Sequence, residues 1–310
     1  MISSSPEERI RAYVSGQAIL VTGATGFIGR PLTEALAGFG ANVHAITRKE
    51  PGKKNEDIRW WKGDLSDLGR TRSLLRKIGP RLVMHLAGHA WGSRKLSIVQ
   101  STFRDCLTTT VNILIAAAET GCPRVLLPGS LEEPEGSCPM PNSPYAVAKW
   151  ASTVYGSMFR QVFELEVVNT RIFMTYGPGQ DHRKVIPYLI LSLLSGKTPI
   201  LNSKDRIVDW IYIDDVVDGL LAAVTNDARY TEPIDLGTGI GIPVGSIAGK
   251  LGSMIQPKKP ARYAIGPGRT NENVRVADAE ATFRKINWKA KVPLDDGLRK
   301  TIDWYKYFRN

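Results

Sequence analysis

The stretch VTGATGFIG at residues 21–29 decides the fold class of this chain. It follows the apolar run QAIL at residues 17–20 and leads into the helix-compatible run RPLTEALAGFG at residues 30–40. Its glycines have the spacing GxxGxxG at a strand-to-helix turn, where missing side chains let backbone N–H groups and the helix N-terminus approach a pyrophosphate. We therefore predict a dinucleotide-binding turn. The alternative interpretation is a glycine-rich turn without a ligand.

Short apolar runs alternate with amphipathic stretches through the first half of the chain. The apolar runs are QAILVT, NVHAIT, DIRWWKG, RLVMHLAG and RVLLPGS. This alternation is typical of βαβ units, so we predict an α/β fold with a Rossmann-type, doubly wound parallel sheet.

The regular alternation ends near residue 170. Beyond it Pro and Gly are frequent, and helix-like segments recur at residues 187–194 and 214–224. We predict an NAD(P)-binding Rossmann domain at residues 1–170 and a smaller α/β substrate-binding portion at residues 171–310, because irregular segments more often shape a ligand pocket than extend a sheet. The boundary is soft, and some later segments are expected to return to the Rossmann sheet.

Composition excludes several classes of protein. With 310 residues, of which 43% are hydrophobic and 23% charged, the chain can bury a sizeable core and is not disordered. The net charge of +11 is interspersed in short runs, which speaks against nucleic-acid binding and favours an anionic small-molecule ligand. No apolar segment approaches the ~20 residues that span a bilayer, so no membrane partner is expected.

The cysteines and histidines do not have the pattern of a metal site. The three cysteines lack the paired spacing of a zinc site or a disulfide framework and suit a reducing compartment, so we expect a cytoplasmic protein. His85 and His89 lie at the end of the fourth apolar run without a set of Cys or carboxylate residues around them. We interpret both as pocket lining and expect no metal.

The second apolar run bears on the choice between NAD and NADP. It ends in Thr47 and is followed by Arg48, with no carboxylate to hold the adenosine ribose hydroxyls. An Arg at this place accommodates the 2′-phosphate of NADP, so we favour NADP over NAD; the alternative is an Arg that only solvates a loop. Asp64, after the third apolar run, has two equal interpretations: it accepts from the adenine amine, or it caps the next helix.

Tyr145 and Lys149 form a Tyr-x-x-x-Lys pair preceded by Ser143 and Pro144, a predicted helix N-cap with proline at the first helical position. Four residues are about one helical turn, so the two side chains share a face. A neighbouring ammonium and an oxidised nicotinamide favour the phenolate, which suits Tyr145 to proton transfer near neutral pH. The alternative is an ordinary surface pair.

These motifs together resemble the extended short-chain dehydrogenase/reductase family, in its group of nucleotide-sugar epimerases, dehydratases and ketoreductases. The motifs are TGATGFIG at residues 22–29, HLAG at 85–88, PGS at 128–130, YAVAK at 145–149 and YGPGQD at 176–181. The resemblance implies Tyr145 as the acid/base, Lys149 on the nicotinamide ribose and Ser130 on the reacting carbinol or carbonyl. The cofactor contacts that it implies are Gly23, Thr25, Gly26, Phe27, Ile28, Gly29, Arg48, Asp64, Leu65, Leu86, Ala87, Gly88, Tyr145 and Lys149.

Members of that family share one hydride step and differ in the later steps of the reaction. In its dehydratases an Asp-Glu pair follows the Ser or Thr; here Leu131 and Glu132 stand there, so the acid for water elimination is missing. Because Arg48 favours NADP, which cells keep reduced, we predict a ketoreductase that acts on a hexose, with a nucleotide-linked deoxysugar as the expected substrate. The alternative is an NAD(P)-dependent nucleotide-sugar epimerase. A 4,6-dehydratase and a non-catalytic NADP-sensing protein are less favoured.

Substrate contacts are expected at Glu132, Met174, Val208 and Arg269. Met174 and Val208 stand where the resemblance leads us to expect an Asn and an Arg, which puts a standard nucleotide-sugar substrate in doubt. Arg269 could compensate, since a guanidinium fork suits a diphosphate. The resemblance also implies a homodimer formed through the segments at residues 103–119 and 145–162.

Overall fold

The computed structural model describes residues 5–48, 57–90, 92–136, 140–226, 230–256, 263–266 and 274–307. Its strands are β1 (Ala18–Thr22), β2 (Asn42–Thr47), β3 (Ile58–Lys62), β4 (Leu82–His85), β5 (Arg124–Ser130), β6 (Glu166–Ile172), β7 (Met174–Tyr176), β8 (Ile200–Leu201), β9 (Ile207–Tyr212), β10 (Ile234–Leu236), β11 (Gly241–Pro243) and β12 (Ala264–Ile265).

The helices are α1 (Pro6–Val14), α2 (Gly29–Gly38), α3 (Leu68–Ile78), α4 (Val99–Thr102), α5 (Thr109–Thr120), α6 (Pro144–Phe163), α7 (Val185–Leu194), α8 (Ile213–Val224), α9 (Val244–Ile255), α10 (Ala279–Ile286) and α11 (Leu294–Tyr307). A 3₁₀ turn at Leu96–Ile98 precedes α4, and a π-helical segment at Phe103–Thr108 joins α4 to α5. Within the ranges given above, no helix combines the length and the apolar character that crossing a bilayer requires.

The main sheet has seven strands in the order β10-β6-β5-β4-β1-β2-β3. The pairs β1–β2, β1–β4, β2–β3 and β4–β5 are parallel, and Ile19 of β1 lies between Val43 and Leu82. The predicted Rossmann-type, doubly wound sheet is therefore confirmed. The strand order reverses between β1 and β4, and in open α/β sheets ligands bind at the carboxyl ends of the strands beside such a reversal.

The central strands are apolar because both faces of the sheet are covered. Every residue of β4 and β5 is buried, and β1 is buried from Ile19 onward. Leu20, Val83 and Leu127 belong to one buried cluster with residues of α3, α5 and α6. Strands that are enclosed on two faces show continuous apolar runs rather than an alternating pattern. This packing fixes the strand ends that carry the polar residues of the candidate site.

Two helix N-termini depend on short polar signals. Ser143 caps α6 by accepting the Ala146 N–H at 3.1 Å, with Pro144 at the first helical position, as predicted. Helix α1 was not predicted, although Ser5 and Glu8 form a reciprocal capping box around Pro6. The sequence Ser-Pro-x-Glu is a recognisable signal for a helix start, so this helix could have been found from the sequence.

The chain folds into two compact units. The first holds Met1–Arg171, Leu220–Ile234 and Lys285–Asn287, and the second holds Ile172–Gly219, Asp235–Arg284 and Trp288–Asn310. Two segments from beyond residue 171, Leu220–Ile234 and Lys285–Asn287, thus belong to the first unit. In the second unit, a three-stranded sheet has the order β11-β9-β7, and β12 pairs with β8.

Candidate active site

The glycine-rich turn after β1 is closely packed against the loop that follows β4. Gly23 has φ +68°, and a Cβ there would lie 2.7 Å from the Leu86 carbonyl oxygen and from the Ala87 nitrogen. A Cβ on Gly29 would lie 2.0 Å from the Gly23 oxygen. Within the turn, the Gly26 N–H donates to the Gly23 oxygen at 2.8 Å. Space therefore requires glycine at both positions, and at Gly23 the backbone conformation requires it as well.

The start of α2 fits an anionic group. Its N-cap residue Ile28 makes no side-chain capping hydrogen bond, and Thr25 and Gly26 of the turn are exposed. Phe27 is half-buried. An uncapped helix start beside a small-residue turn offers backbone N–H groups and a partial positive charge to a phosphate. The residues present therefore fit the pyrophosphate of a dinucleotide.

A buried histidine connects this turn to the loop after β4. Thr22 Oγ1 hydrogen-bonds His85 Nδ1 at 2.8 Å and accepts the Ala87 N–H at 3.0 Å. His85 Nε2 hydrogen-bonds Thr110 Oγ1 at 3.1 Å, and that hydroxyl donates to the Cys106 carbonyl oxygen at 2.7 Å. Since the Thr110 proton is thereby used, His85 Nε2 is the donor to Thr110 and Nδ1 is the acceptor from Thr22.

The sequence led us to expect His85 to line a pocket, and this expectation is wrong. Its side chain is enclosed between β1 and α5, with 1% of the residue exposed. Burial, with a smaller contribution from the Lys149 charge, lowers the pKa of His85 to about 3, so the ring is neutral. The neutral ring holds the Leu86–Ala87–Gly88 loop in place. His89 is exposed, and its Nε2 lies 3.8 Å from an Asp105 carboxylate oxygen.

Arg48, the residue that favours NADP, is paired with a carboxylate that the sequence did not reveal. Asp105 lies in the π-helical segment, and its Oδ1 is 3.3 Å from Arg48 Nη1 and 2.9 Å from Arg104 Nε. Burial opposes ionisation of Asp105, but the hydrogen bond from Arg104 and the charges of Arg48 and Arg104 lower its pKa. The Asp105 carboxylate thus offsets part of the positive charge of Arg48 that would favour a 2′-phosphate. Only tertiary packing could bring residues 57 positions apart together.

Asp64 is not the cap of the helix that follows it. The N-cap of α3 is Asp67, which accepts the Arg70 N–H at 3.0 Å. Asp64 Oδ1 accepts from the Ser66 N–H at 3.0 Å and the Ser66 hydroxyl at 2.9 Å, and chiefly the backbone bond lowers its pKa. The next residue, Leu65, is buried. Of the two interpretations of Asp64, the capping one is wrong and adenine recognition stays a prediction.

The first unit brings Ser130, Tyr145 and Lys149 together. Ser130 ends β5, while the other two residues lie one turn apart near the start of α6. The Tyr145 phenol is hydrogen-bonded to the Ser130 side chain. Lys149 Nζ donates to the Pro128 carbonyl oxygen at 2.7 Å. The capped start of α6 and the end of β5 thus meet through two hydrogen bonds.

Burial dominates the electrostatics of this group. It raises the pKa of Tyr145; the neighbouring Cys106 and Glu132 raise this pKa further, and the hydrogen bond from Ser130 opposes the increase. Burial lowers the pKa of Lys149, which Cys106 and Glu133 counteract. Burial thus works against the phenolate of Tyr145 and against the ammonium of Lys149. A positively charged ring bound beside Tyr145 would favour the phenolate and so enable proton transfer.

The residues after Ser130 differ sharply in their surroundings. Leu131 is buried, with 7% exposed, so an apolar side chain occupies the position of the dehydratase acid. Glu132 is partly exposed, its N–H donates to Ser130 Oγ at 3.2 Å, and Ser143 Oγ lies 3.5 Å from its carboxylate. Glu133, which the sequence did not single out, is 2% exposed and accepts the Ser130 N–H at 2.7 Å.

Two further predicted substrate contacts, Met174 and Val208, lie in the second unit. Met174 begins β7 and pairs with Trp210, and its side chain is partly exposed. Val208 is 3% exposed and pairs with Ile242, so its side chain belongs to the packed interior. Its neighbour Asp209 accepts hydrogen bonds from the backbone of residues 238, 239 and 277 and thereby fixes their turn. Arg269 lies outside the described residues.

Comparison with known proteins identifies the family. The NAD dependent epimerase/dehydratase family matches residues 19–237. The chain belongs to this family. It is accordingly an enzyme of the extended short-chain dehydrogenase/reductase type, as the motifs had indicated.

Three similar proteins illustrate the range of this epimerase/dehydratase family. A UDP-glucose 4-epimerase of Mycolicibacterium smegmatis is 28% identical, over 93% of this chain and 98% of its own. A probable dTDP-glucose 4,6-dehydratase of Sinorhizobium fredii is 26% identical, over 93% and 92%. The structure of MoeE5 in complex with UDP-glucose and NAD has a TM-score of 0.82 and 26% identity, covering 94% of this chain and 99% of that one. None of these supports the predicted preference for NADP.

The close contact at Gly29 generates a test of the cofactor site. Gly29→Ala should abolish measurable NAD binding, because its Cβ would overlap the Gly23 carbonyl and open the turn. Gly38→Ala, in the same helix with no atom within 4 Å of its Cβ, is the matched control and should bind NAD normally. Calorimetric titration with NAD measures the affinity and circular dichroism checks the fold. Equal affinity in both folded variants would contradict this assignment of the turn.

Proposed function

We propose that the chain is an NAD-dependent epimerase that inverts a carbinol carbon of a nucleotide sugar. The observation that carries the proposal is the hydrogen-bonded pair of Ser130 and Tyr145 on the helix face of Lys149, with the apolar Leu131 buried beside it. This arrangement supplies one acid/base group, and at residue 131 an apolar side chain stands in place of a second acid. The ketoreductase that we predicted from Arg48 is less well supported, because that charge is shared with Asp105 and the three similar proteins are not named as reductases.

The chemistry divides between the cofactor and the chain. A bound nicotinamide would supply the acceptor, and then the donor, of the hydride that leaves and returns to the carbinol carbon. Tyr145 removes the hydroxyl proton as the carbon is oxidised and restores it when the carbonyl is reduced from the other face. Ser130 hydrogen-bonds the same oxygen, and Lys149 stabilises the phenolate by its charge. The net reaction consumes no cofactor, so no pool of NADPH is needed.

A dehydratase fits the same residues less well. Elimination of water requires a base for the carbon-bound proton and an acid for the departing hydroxyl. Glu132 is a carboxylate in reach of Ser143, but the preceding position is a buried leucine. A protonated group for the leaving oxygen is therefore missing at this place. The relative named as a dehydratase makes this the second candidate to be tested.

The substrate that we propose is a UDP-linked hexose. MoeE5 was solved with UDP-glucose, and the similar epimerase acts on UDP-glucose by its name. The net charge of +11 favours an anionic ligand of this kind. Contacts from Glu132, Met174, Val208 and Arg269 remain proposals, and the burial of Val208 restricts it to shaping the surroundings.

Replacement of the phenol tests the proposed reaction. Tyr145→Phe should lower the rate of UDP-glucose and UDP-galactose interconversion by about 10²-fold or more, because no group then takes the hydroxyl proton. Its NAD affinity should stay within about threefold of the unchanged chain, since one hydroxyl is a small part of the contacts. Tyr155→Phe, an exposed tyrosine of the same helix, is the control.

Product analysis separates the candidate reactions. Nuclear magnetic resonance of mixtures with UDP-glucose, UDP-glucuronic acid and dTDP-glucose would show an epimer for an epimerase and a 4-keto-6-deoxy sugar for a dehydratase. Turnover only with NADPH and a keto sugar would support the ketoreductase prediction instead. Unchanged rates in Tyr145→Phe would contradict every catalytic proposal and favour a cofactor-sensing protein.

We propose NAD rather than NADP as the cofactor because of the Arg48–Asp105 ion pair. Asp105→Asn should tighten NADP binding roughly tenfold while leaving NAD binding nearly unchanged, since it frees a guanidinium for the 2′-phosphate. The double variant Arg48→Ala/Asp105→Asn should lose that gain. Fluorescence titrations with NADH and NADPH measure both affinities. A preference for NADPH in the unchanged chain would show that the ion pair does not oppose phosphate binding.

We propose that the chain forms a homodimer through the helical segments at residues 103–119 and 145–162. Val147, Val154, Tyr155 and Val162 recur at a spacing that places them on one face of α6, and each is at least 40% exposed. Phe103, in the adjoining π-helical segment, is 57% exposed. A continuous exposed apolar face of this kind is typical of a protein interface, and two helices per copy would form a four-helix contact.

A charge in this face should separate the copies. Val154→Glu is expected to give a monomer in light scattering after size exclusion, because it buries an unpaired carboxylate in the interface. Ile240→Glu, an exposed apolar residue of the second unit, is the control and should stay dimeric. A monomeric unchanged chain, or a dimer that tolerates Val154→Glu, would contradict the proposal.

A further inference from the structure

Glu133 holds both backbone polar groups of Ser130. Its carboxylate Oε1 accepts the Ser130 N–H at 2.7 Å, and its own N–H donates to the Ser130 carbonyl oxygen at 3.0 Å. The Ser130 hydroxyl in turn accepts the Glu132 N–H at 3.2 Å, which leaves its proton for the bond to Tyr145. The position of the Ser130 hydroxyl therefore depends on a buried side chain that lies behind the strand end.

The same carboxylate reaches the helix that carries the phenol and the ammonium. Thr153 Oγ1 donates to Glu133 Oε2 at 3.2 Å. Tyr145, Lys149 and Thr153 are spaced by four residues, so they follow one another along a single face of α6. The two oxygens of Glu133 thus join the end of β5 to this face, one oxygen on each element.

Gly129 provides the space for this link. A Cβ at Gly129 would lie 2.1 Å from Glu133 Oε1 and 2.9 Å from the Thr170 carbonyl oxygen. No side chain fits between β5 and the carboxylate. The glycine of the PGS motif is therefore explained by Glu133 rather than by a turn.

Several charged groups face the Glu133 carboxylate. Arg171 of β6 and Lys149 of α6 are cations near it, and Tyr145 of α6 is near it as well. Burial raises the pKa of Glu133 above its ordinary value, and the Ser130 N–H and the charges of Arg171 and Lys149 offset only part of that increase. Conversely, Glu133 and Cys106 counteract the effect of burial on the pKa of Lys149.

We propose that Glu133 is a positioning residue that fixes Ser130 against the helix face of Tyr145 and Lys149 and places a carboxylate near the Lys149 side chain. The proposal rests on the epimerase function for its kinetic consequence, but its structural consequence does not. Hydrogen bonds hold both carboxylate oxygens of Glu133. The length of the side chain, which sets its reach, and its charge can be changed in separate variants.

Three variants separate reach from charge. Glu133→Gln keeps the reach and removes the charge, whereas Glu133→Asp keeps the charge and shortens the reach. Glu135→Gln, an exposed carboxylate two residues further on, is the matched control. Gly129→Ala displaces the carboxylate without changing it, and so provides an independent second disturbance if Glu133→Gln does not fold.

Two measurements need no substrate. With lysines labelled by carbon-13 and the Lys149 resonance identified by its loss in Lys149→Met, Lys149 should titrate at lower pH in Glu133→Gln than in the unchanged chain or in Glu135→Gln. The Ser130 amide should exchange its hydrogen faster in Glu133→Asp and Gly129→Ala than in Glu133→Gln. In the epimerase assay, Glu133→Gln and Glu133→Asp should each lower kcat about tenfold with KM nearly unchanged, because the reacting groups are misplaced or mischarged.

The outcomes also separate this proposal from the proposed function. If the unchanged chain turns over no nucleotide sugar, the epimerase proposal fails, while the titration and the exchange rates still decide the role of Glu133. Lys149 titrating at the same pH in Glu133→Gln as in Glu135→Gln, or equal Ser130 exchange rates in Glu133→Asp and Glu133→Gln, would overturn the assignment of Glu133.

Discussion

The hydrogen bond between the Ser130 hydroxyl and the Tyr145 phenol is the interaction on which the proposed chemistry of this chain depends. It joins the carboxyl end of a buried strand to the first turn of a capped helix. Neither element positions these atoms by itself. The strand fixes only that Ser130 stands at its end, and the helix fixes only that Tyr145 and Lys149 share a face. Packing of α6 against β5 brings the two together.

Burial opposes the charge states that the proposed reaction needs. It raises the pKa of the Tyr145 phenol and lowers the pKa of the Lys149 ammonium, so it works against the charged form of both groups. In the proposed reaction, an oxidised nicotinamide bound beside Tyr145 would favour its phenolate, and the buried Glu133 carboxylate would favour the protonated form of Lys149. Proton transfer by Tyr145 would then depend on cofactor binding.

The surroundings of the site are held by polar groups behind the reacting side chains. His85 spans from Thr22 to Thr110 as a neutral ring and fixes the loop after β4, and Asp105 restrains Arg48. Each of these contacts gives a buried polar group a hydrogen-bond partner, and such a group would destabilise the fold if it had none. They also explain why a sequence interpretation based on single residues took His85 for pocket lining and did not anticipate the Asp105 partner of Arg48.

The sequence by itself indicated the parallel sheet, the glycine-rich turn and the Tyr145–Lys149 pair, because the signal for each element lies within a few neighbouring residues. Alternating apolar runs, glycine spacing and a Ser-Pro helix start are local signals. The Arg48–Asp105 ion pair, the enclosed His85 and the Glu133 link were decided by the tertiary structure alone. Glu133 lies three residues from Ser130, yet its meaning comes from Thr153 and Gly129, and contacts between separate elements leave no periodic trace in the sequence.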